Sequence, residues 1–505
     1  MSTSTSSLLD LADPTDVDAL REALASQDPQ HLLTPLGLRR LVVAADASQR
    51  VVPELTDLLA ARGAQLAGAR LVLLVDDVPI ARAGRDLKDD VEAALRAAVS
   101  AGGGAGSVTR YVVRDEHGEH AVGPLHADET ALSAAARAVT GADAVVSVGG
   151  GTITDIGKVA TSRTGNPPLV VVQTAASVDG FTDDVSVVLA SGVKKTIPSR
   201  WPDVVLADLE AIAGAPRQMA AAGYGELLSM FTAPADWYLA ALTGLDETFH
   251  RAPVDLLAVV GRGLADWSPG VVRGEPEAFE ALTRALDVRG IATGVSGGTA
   301  VLSGVEHLVS HVLDMHHGAE GEPIGLHGAQ VGVASVVAAA AWELLFERLA
   351  GGGAAQAAQR IASGAGIDPD GALQRCRDAF GHLDADGALA AECGRRYELK
   401  LAELAVRRQR LAAVLERWDE HAAVLRSLVR PSAELRDGLR AAGVTATFSD
   451  LVPSVDADLA RWAVASCHLM RERLVVVDLL DALGWWTPAE VAHCLAALEP
   501  QGSVL

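Results

Sequence analysis

Residues 144–158 read AVVSVGGGTITDIGK, and this stretch decides the fold. Val145, Val146 and Val148 have the composition of a short buried strand, which stops at Gly149. Gly149, Gly150 and Gly151 let the backbone approach another group closely, because no Cβ intervenes. From Thr152 onward Ile153, Ile156, Val159 and Ala160 take helical spacing. Free amides and the dipole at such a helix start favour an anion, so strand, glycine turn and helix together can cradle a pyrophosphate. The same turn also serves a ligand-free strand-to-helix connection. Asp155 and Lys158, on the first helical turns, favour the ligand site.

Outward from this unit, strand-like runs at 41–44, 70–75, 109–113, 169–173 and 204–207 alternate with helical sequence. That alternation predicts a parallel sheet covered by helices. In such sheets ligands bind beyond the carboxyl ends of the strands. Asp76 and Asp77 follow LVLLV, where an acid can accept hydrogen bonds from an adenosine ribose, and Thr174, Ser177 and Asp179 follow VVVQ. Each of these suits a cap or a turn when taken singly. Their grouping beside the glycine turn is what points to a site. Residues 102–106 (GGGAG) read as a loop tip and 115–120 as a charged turn.

From residue 215 the pattern becomes helix after helix, with apolar residues at helical spacing over 334–350, 398–428 and 457–483. The expected architecture is therefore an α/β domain over 1–214 followed by an all-α domain over 215–505. The helical half holds Glu226 in GYGELLSM, His307 and His311 in SGVEHLVSH, and His327 in GLHGAQVG. His307 and His311 lie four apart, one turn from each other on one helix face. A carboxylate with imidazoles suits a divalent transition metal such as zinc, nickel or iron(II). Hydrogen-bonded core histidines would leave the same trace in sequence. His316 and His317, in DMHHGAEGEP, read as a polar loop.

Nearly half of the 505 residues are hydrophobic, enough for a large core in several domains. No apolar run reaches the roughly 18 residues of a membrane span. The start, MSTSTSSLLDLADPTD, lacks the basic and apolar regions of a secretory signal. Cys376, Cys393, Cys467 and Cys494 lie far apart without CxxC spacing and read as buried thiols in a reducing compartment. A formal charge of −23 argues against nucleic acid or anionic membrane as a partner. The expectation is a soluble cytoplasmic protein.

Residues 144–237 resemble the glycerol-1-phosphate dehydrogenase family, a branch of the iron-containing alcohol dehydrogenase and dehydroquinate synthase superfamily. The matching pieces are SVGGGTITDIGK, QTAASVDGFTDDVSVV and PDVVLADLEAIAGAPRQMAAAGYGELLSMFTAPADW. The resemblance resumes at SGVEHLVSHVLDMHHG and LHGAQVGVAS and returns in RWAVASCHLMRERLVVVDLLDALGW. It implies a dehydroquinate synthase-like fold: a dinucleotide-binding α/β domain, then a helical domain for metal and substrate.

By this resemblance Gly149, Gly150, Gly151 and Thr152 hold the pyrophosphate of NAD or NADP, with Asp155, Lys158 and Asp183 counted to the same cofactor site. Asp76 would meet the adenosine ribose and favour NAD, because a carboxylate repels a 2′-phosphate. Thr174 and Ser177 would line the nicotinamide side, and Asp179 would hydrogen-bond a substrate hydroxyl. Glu226, His307 and His327 would bind one divalent metal (Zn, Ni or Fe), with His311 contacting the substrate or relaying its proton. The implied reaction interconverts a small polyol phosphate and its keto form, glycerol 1-phosphate and dihydroxyacetone phosphate being the default pair. A dehydroquinate synthase-like sugar phosphate lyase or cyclase, and a non-catalytic cofactor-binding relative, are the alternatives. The family often forms homodimers.

Three positions depart from the dehydrogenase pattern. Glu226 stands where the first metal ligand is Asp, Met230 where Lys or Asn is common, and Asp183 where Ser is usual. Lys194, Lys195, Arg200, Arg471 and Arg473 are the cations available to a substrate phosphate.

Overall fold

Short Val- and Leu-rich runs with no polar alternation are expected to be strands of a sheet covered on both faces. In the structure, a computed structural model that describes residues 8–103, 105–114, 125–190 and 193–499, they are. The described strands are β1 (Arg40–Ala44), β2 (Arg70–Val75), β3 (Ala81–Arg82), β4 (Arg85–Asp86), β5 (Ser107–Val112), β6 (Ala144–Gly149), β7 (Leu169–Gln173), β8 (Val185–Ala190), β9 (Val193–Pro198) and β10 (Val204–Asp208). Six of them form one sheet in the order β1-β10-β7-β6-β2-β5, every pairing parallel. β6, β7 and β10 are buried along their whole length, and β2 is buried after its first residue. Leu55, Leu71, Leu73, Val75, Leu95, Val146, Val148, Val170 and Leu206 share one core between this sheet and its helices.

Register places the polar strand ends together. Val75 pairs with Val148, and Gly149 with Gln173. Asp76, the glycine turn and Thr174 therefore leave three neighbouring strands at the same carboxyl edge, where ligands bind in sheets of this kind.

The chain divides into two units, Met1–Gly223 with Arg251–Gly298, and Tyr224–His250 with Thr299–Leu505. The sequence draws a boundary at 214, whereas the chain passes between units at 223, 250 and 298. Periodicity shows that a helix has an apolar face but not which partner covers it. The helix Pro276–Val295 belongs with the sheet because two glycines let it come close. A Cβ on Gly290 would lie 2.2 Å from the Asp179 carbonyl oxygen, and one on Gly294 2.2 Å from the Trp201 ring. The antiparallel hairpin β8–β9 is a further addition to the expected strands. In the 102–106 loop a 3-10 turn spans Ala101–Gly103; Gly104 and the charged turn at 115–120 lie outside the described residues.

The second unit is helical throughout its described residues. Its helix His327–Leu349 is long and apolar enough to cross a membrane by length and composition, but 89% of its most apolar window is buried inside the protein. That is the burial of a core helix. The expected helix over 398–428 is two, Ala388–Glu416 and Trp418–Leu428, and the one over 457–483 breaks at Cys467–Met470 into Ala457–Ser466 and Val476–Ala482.

The polar loop expected around His316 and His317 is instead the last turns of the helix Val305–Glu320. Its Asp and His residues still have one face in the core, with His317 only 1% exposed, and the helix stops at Gly321 with φ +70°. Asp236 fixes the other end of that helix. Its carboxylate accepts the amide of Val305 (3.2 Å) and the amide of Val476 (2.8 Å), tying two helix starts together. Burial, reinforced by the nearby Glu306 charge, pushes the Asp236 carboxyl well above its ordinary range. All four cysteines are free and buried.

Candidate functional site

The glycine turn does not need left-handed backbone: Gly150 caps the helix Gly151–Ser162 at φ −82°, ψ −169°. It needs space. A Cβ on Gly149 would sit 2.9 Å from the Ile153 Cβ, and one on Gly151 2.7 Å from a Val178 methyl. At Gly150 a Cβ would meet nothing within 4 Å. The outer glycines thus allow close packing, while the middle one borders open room. The first helical amide to bond backwards is that of Thr154, to the Gly150 carbonyl (3.2 Å). The amides of Gly151, Thr152 and Ile153 therefore belong to the unsatisfied helix start that suits an anion.

Asp155, Lys158 and Asp183, assigned to the cofactor from sequence, face one another inside the protein. The Lys158 ammonium, fully buried, donates to the Gly180 carbonyl (2.8 Å), Asp183 Oδ1 (2.6 Å) and the Val185 carbonyl, and lies 3.3 Å from Asp155. Those acceptors occupy its three N–H groups and leave none for a phosphate. Asp155 also accepts the Val187 amide (3.2 Å), so the cluster staples residues 180–187 onto the helix. Burial pushes Asp183 up to about 7 against the pull of Lys158. Asp183, a departure from the family pattern, is thus explained by its cation.

Thr174 is buried and its amide bonds the Gly149 carbonyl (3.3 Å), while Ser177 is partly exposed. Asp179 Oδ2 lies 3.2 Å from both Nε and Nη2 of Arg289, a fully buried arginine. The carboxylate facing this guanidinium can only accept hydrogen bonds. Asp76, at the end of β2, pairs with the buried Lys88.

In the second unit Glu226, His307 and His327 converge, their ligand atoms all within 4.8 Å of one another. They stand on three helices, and those of Glu226 and His327 meet through a backbone contact. A Cβ on Gly225 would lie 2.2 Å from the Gly328 carbonyl oxygen, and one on Gly332 2.7 Å from the Gly225 Cα. Only glycines permit that approach, and it sets Glu226 beside His327.

His307 Nε2 is 3.3 Å from Glu226 Oε1, and its Nδ1 is 3.1 Å from Glu306 Oε1. His327 Nδ1 is 2.8 Å from the Ser310 hydroxyl, which in turn donates to Gln330 (2.6 Å). Both rings are therefore held at Nδ1, leaving Nε2 as the nitrogen for an ion. Burial works against a charged His307, but Glu226 and Glu306 outweigh it and hold the group up at about 9. A divalent cation entering here exchanges for that proton. One carboxylate and two oriented imidazoles in a buried pocket fit a transition metal. His311 lies beside them, its ring centroid 5.5 Å from that of His327. Met230 is buried in the 3-10 turn Leu228–Phe231.

Glu306, Ser310, Arg289 and Lys88 were not among the sequence candidates. Glu306 had a signal, a lone carboxylate in apolar helical sequence, and Ser310 stands three residues after His307; Arg289 and Lys88 had none. Glu306 is fully buried and also accepts the Gly304 amide (2.7 Å) and the Thr232 hydroxyl (2.9 Å), so it cannot swing away from His307. Glu306→Gln is expected to weaken metal affinity by about 10- to 100-fold while keeping the fold. Competition with a chromophoric chelator measures this, and unchanged affinity would remove Glu306 from the site.

Of the phosphate candidates, Arg200 is engaged by the Pro167 carbonyl (2.8 Å) and Asp203 (2.7 Å). Arg473 is engaged by the Ser303 carbonyl (2.7 Å) and the Thr299 hydroxyl (3.1 Å). Lys195 is exposed, and the Lys194 side chain lies outside the described residues.

Residues 47–216 match the iron-containing alcohol dehydrogenase family. Among curated proteins, a glycerol-1-phosphate dehydrogenase [NAD(P)+] of Halalkalibacterium halodurans is 33% identical over 201 residues, 40% of this chain and 50% of the relative. The Pyrococcus furiosus protein of the same name is 33% identical over 231 residues, 45% of this chain and 63% of the relative. The matched part thus spans about half to two thirds of these relatives' length. In fold, the chain is similar to a maleylacetate reductase from Rhizobium sp., with TM-score 0.53 at 17% identity, covering 92% of this chain and 97% of the other. It is equally similar to glycerol dehydrogenase from Schizosaccharomyces pombe, with TM-score 0.52 at 16% identity, covering 93% and 92%. Across the glycine turn this chain is thus similar in sequence to the iron-containing alcohol dehydrogenase family and to glycerol-1-phosphate dehydrogenases, and its fold is similar to that of the two solved structures over most of their length.

Proposed function

We propose that this protein is a divalent-metal- and NAD(P)-dependent dehydrogenase interconverting a small polyol phosphate and its keto form, glycerol 1-phosphate and dihydroxyacetone phosphate being the default pair. The observation that carries the proposal is the convergence of Glu226, His307 and His327 with both histidines held at Nδ1. The names of the curated relatives support the substrate class.

When bound, the ion supplies Lewis acidity and the nicotinamide supplies the redox chemistry. The chain supplies the rest. Glu226, His307 and His327 bind the ion, and Glu306 and Ser310 keep the two imidazoles aimed. The amides following Gly150 receive the pyrophosphate. Asp179, facing Arg289, accepts a hydrogen bond from a substrate hydroxyl and so orients the polyol. His311 takes up the proton released when the alcohol is oxidised and returns it in the reverse direction.

The test is elemental analysis of the purified protein, followed by NADH and NADPH absorbance with dihydroxyacetone phosphate, before and after chelation and with added zinc, nickel or iron(II). One ion per chain and metal-dependent coenzyme oxidation are expected. Release of phosphate from a sugar phosphate without net coenzyme turnover would replace this reading by the lyase or cyclase. Absence of both metal and dinucleotide binding would replace it by the non-catalytic relative.

A further inference from the structure

We infer that Lys88 sets the coenzyme preference of the nucleotide site by screening Asp76, so that the 2′-phosphate of NADP is tolerated beside a carboxylate that would otherwise reject it. The inference rests on the dinucleotide reading above. Asp76 alone, as the sequence presents it, favours NAD. The structure gives that carboxylate a partner.

Asp76 follows Val75, which pairs with Val148 one residue before the glycine turn. Adjacent parallel strands lie about 4.8 Å apart, so Asp76 and Gly149 are neighbours at the edge where the ribose of a dinucleotide sits. Lys88 comes from the first turn of the helix Leu87–Val99. Its ammonium bonds Asp76 Oδ1, the Asp76 carbonyl (2.9 Å) and the Val78 carbonyl. The Lys88 side chain is 1% exposed and that of Asp76 20%. The carboxylate therefore keeps a face to solvent while the ammonium does not.

Two consequences follow from this geometry. Lys88 has used its three N–H groups and cannot donate to a phosphate, so it acts on a ligand only through its charge. That charge cancels Asp76 and leaves exposed Asp77 as the remaining acid of the DD pair. The other cations of this segment are engaged: Arg82 with Asp208 and Glu210, and Arg85 with Asp90. Lys88 is thus the cation placed to offset Asp76. A merely structural lysine, pinning the 76–78 turn, would affect NADH and NADPH alike. A screening lysine discriminates between them.

The experiment measures dissociation constants of NADH and NADPH by nicotinamide fluorescence on the full-length protein, for the natural chain, Lys88→Met, Lys88→Arg and Asp76→Asn. The natural chain is expected to bind both, and Lys88→Met to raise the NADPH-to-NADH ratio of dissociation constants about tenfold, less at high salt. Lys88→Arg should restore the natural ratio, and Asp76→Asn should lower it. A folded Lys88→Met protein whose two constants change equally, or not at all, overturns the inference while leaving the dinucleotide site standing. If Lys88→Met does not fold, Asp76→Asn decides alone, an unchanged ratio overturning the inference. A natural chain that binds neither nucleotide overturns the inference together with the reading beneath it.

Discussion

His307→Ala is expected to yield a folded, metal-free and inactive protein. His307 stands between Glu226 and Glu306 and is the ring that carries charge between them. Removing it takes one of three ligands from the ion and leaves two buried carboxylates facing a void. Loss of a Lewis acid that contributes several kcal/mol at the transition state lowers turnover by about three orders of magnitude or more. The fold survives because Glu306 keeps its bonds to the Gly304 amide and Thr232, and Asp236 still holds the start of the helix. Elemental analysis, turnover and a thermal melt read the three parts separately. A His307→Ala protein that retains one ion and its activity would show that the metal lies elsewhere.

Gly225→Ala is expected to strike the same centre without touching a ligand. The new methyl would sit 2.2 Å from a backbone oxygen, that of Gly328, where no side-chain rotation can relieve the overlap. The helices carrying Glu226 and His327 must move apart by about an ångström. Overpacking of this kind costs about 3 kcal/mol, partly offset by the roughly 1 kcal/mol that alanine gains over glycine in a helix. Loss of thermal stability should therefore accompany loss of bound metal, since the spread displaces a carboxylate from an imidazole. An unchanged melting temperature with full metal content would mean that the two helices have slack.

The parallel sheet was legible because β2, β6, β7 and β10 are unbroken apolar runs of the right length, and because one glycine turn marks the ligand edge. The hairpin β8–β9 carried a fainter signal, a Ser–Gly pair between two short β-branched runs. At the candidate metal cluster, residue chemistry nominated Glu226, His307, His311 and His327, the resemblance singled out Glu226, His307 and His327, and the fold brings those three together. Their outer supports obey no spacing rule: Ser310 reaches a histidine seventeen residues away on another helix. Lys158 shows the opposite failure. Its place beside the glycine turn suggested a phosphate ligand, but its direction is set by Asp183, twenty-five residues on. Asp76 was legible as an acid at a strand end, and Lys88 was not, because a lysine one element later gives no hint of turning inward.

The Asp236 carboxylate, shared between the amides of Val305 and Val476, gives the protein a birth order. A chain emerges from the ribosome amino end first, and its compact parts form as they are completed. Sheet and glycine turn are synthesised in full by residue 208, long before the segment around Val476 exists. The helix carrying His307 gains its shared anchor only once the segment around Val476 has been made, well after the helix itself. A nascent chain therefore possesses its glycine turn well before the helix carrying His307 is braced at its start.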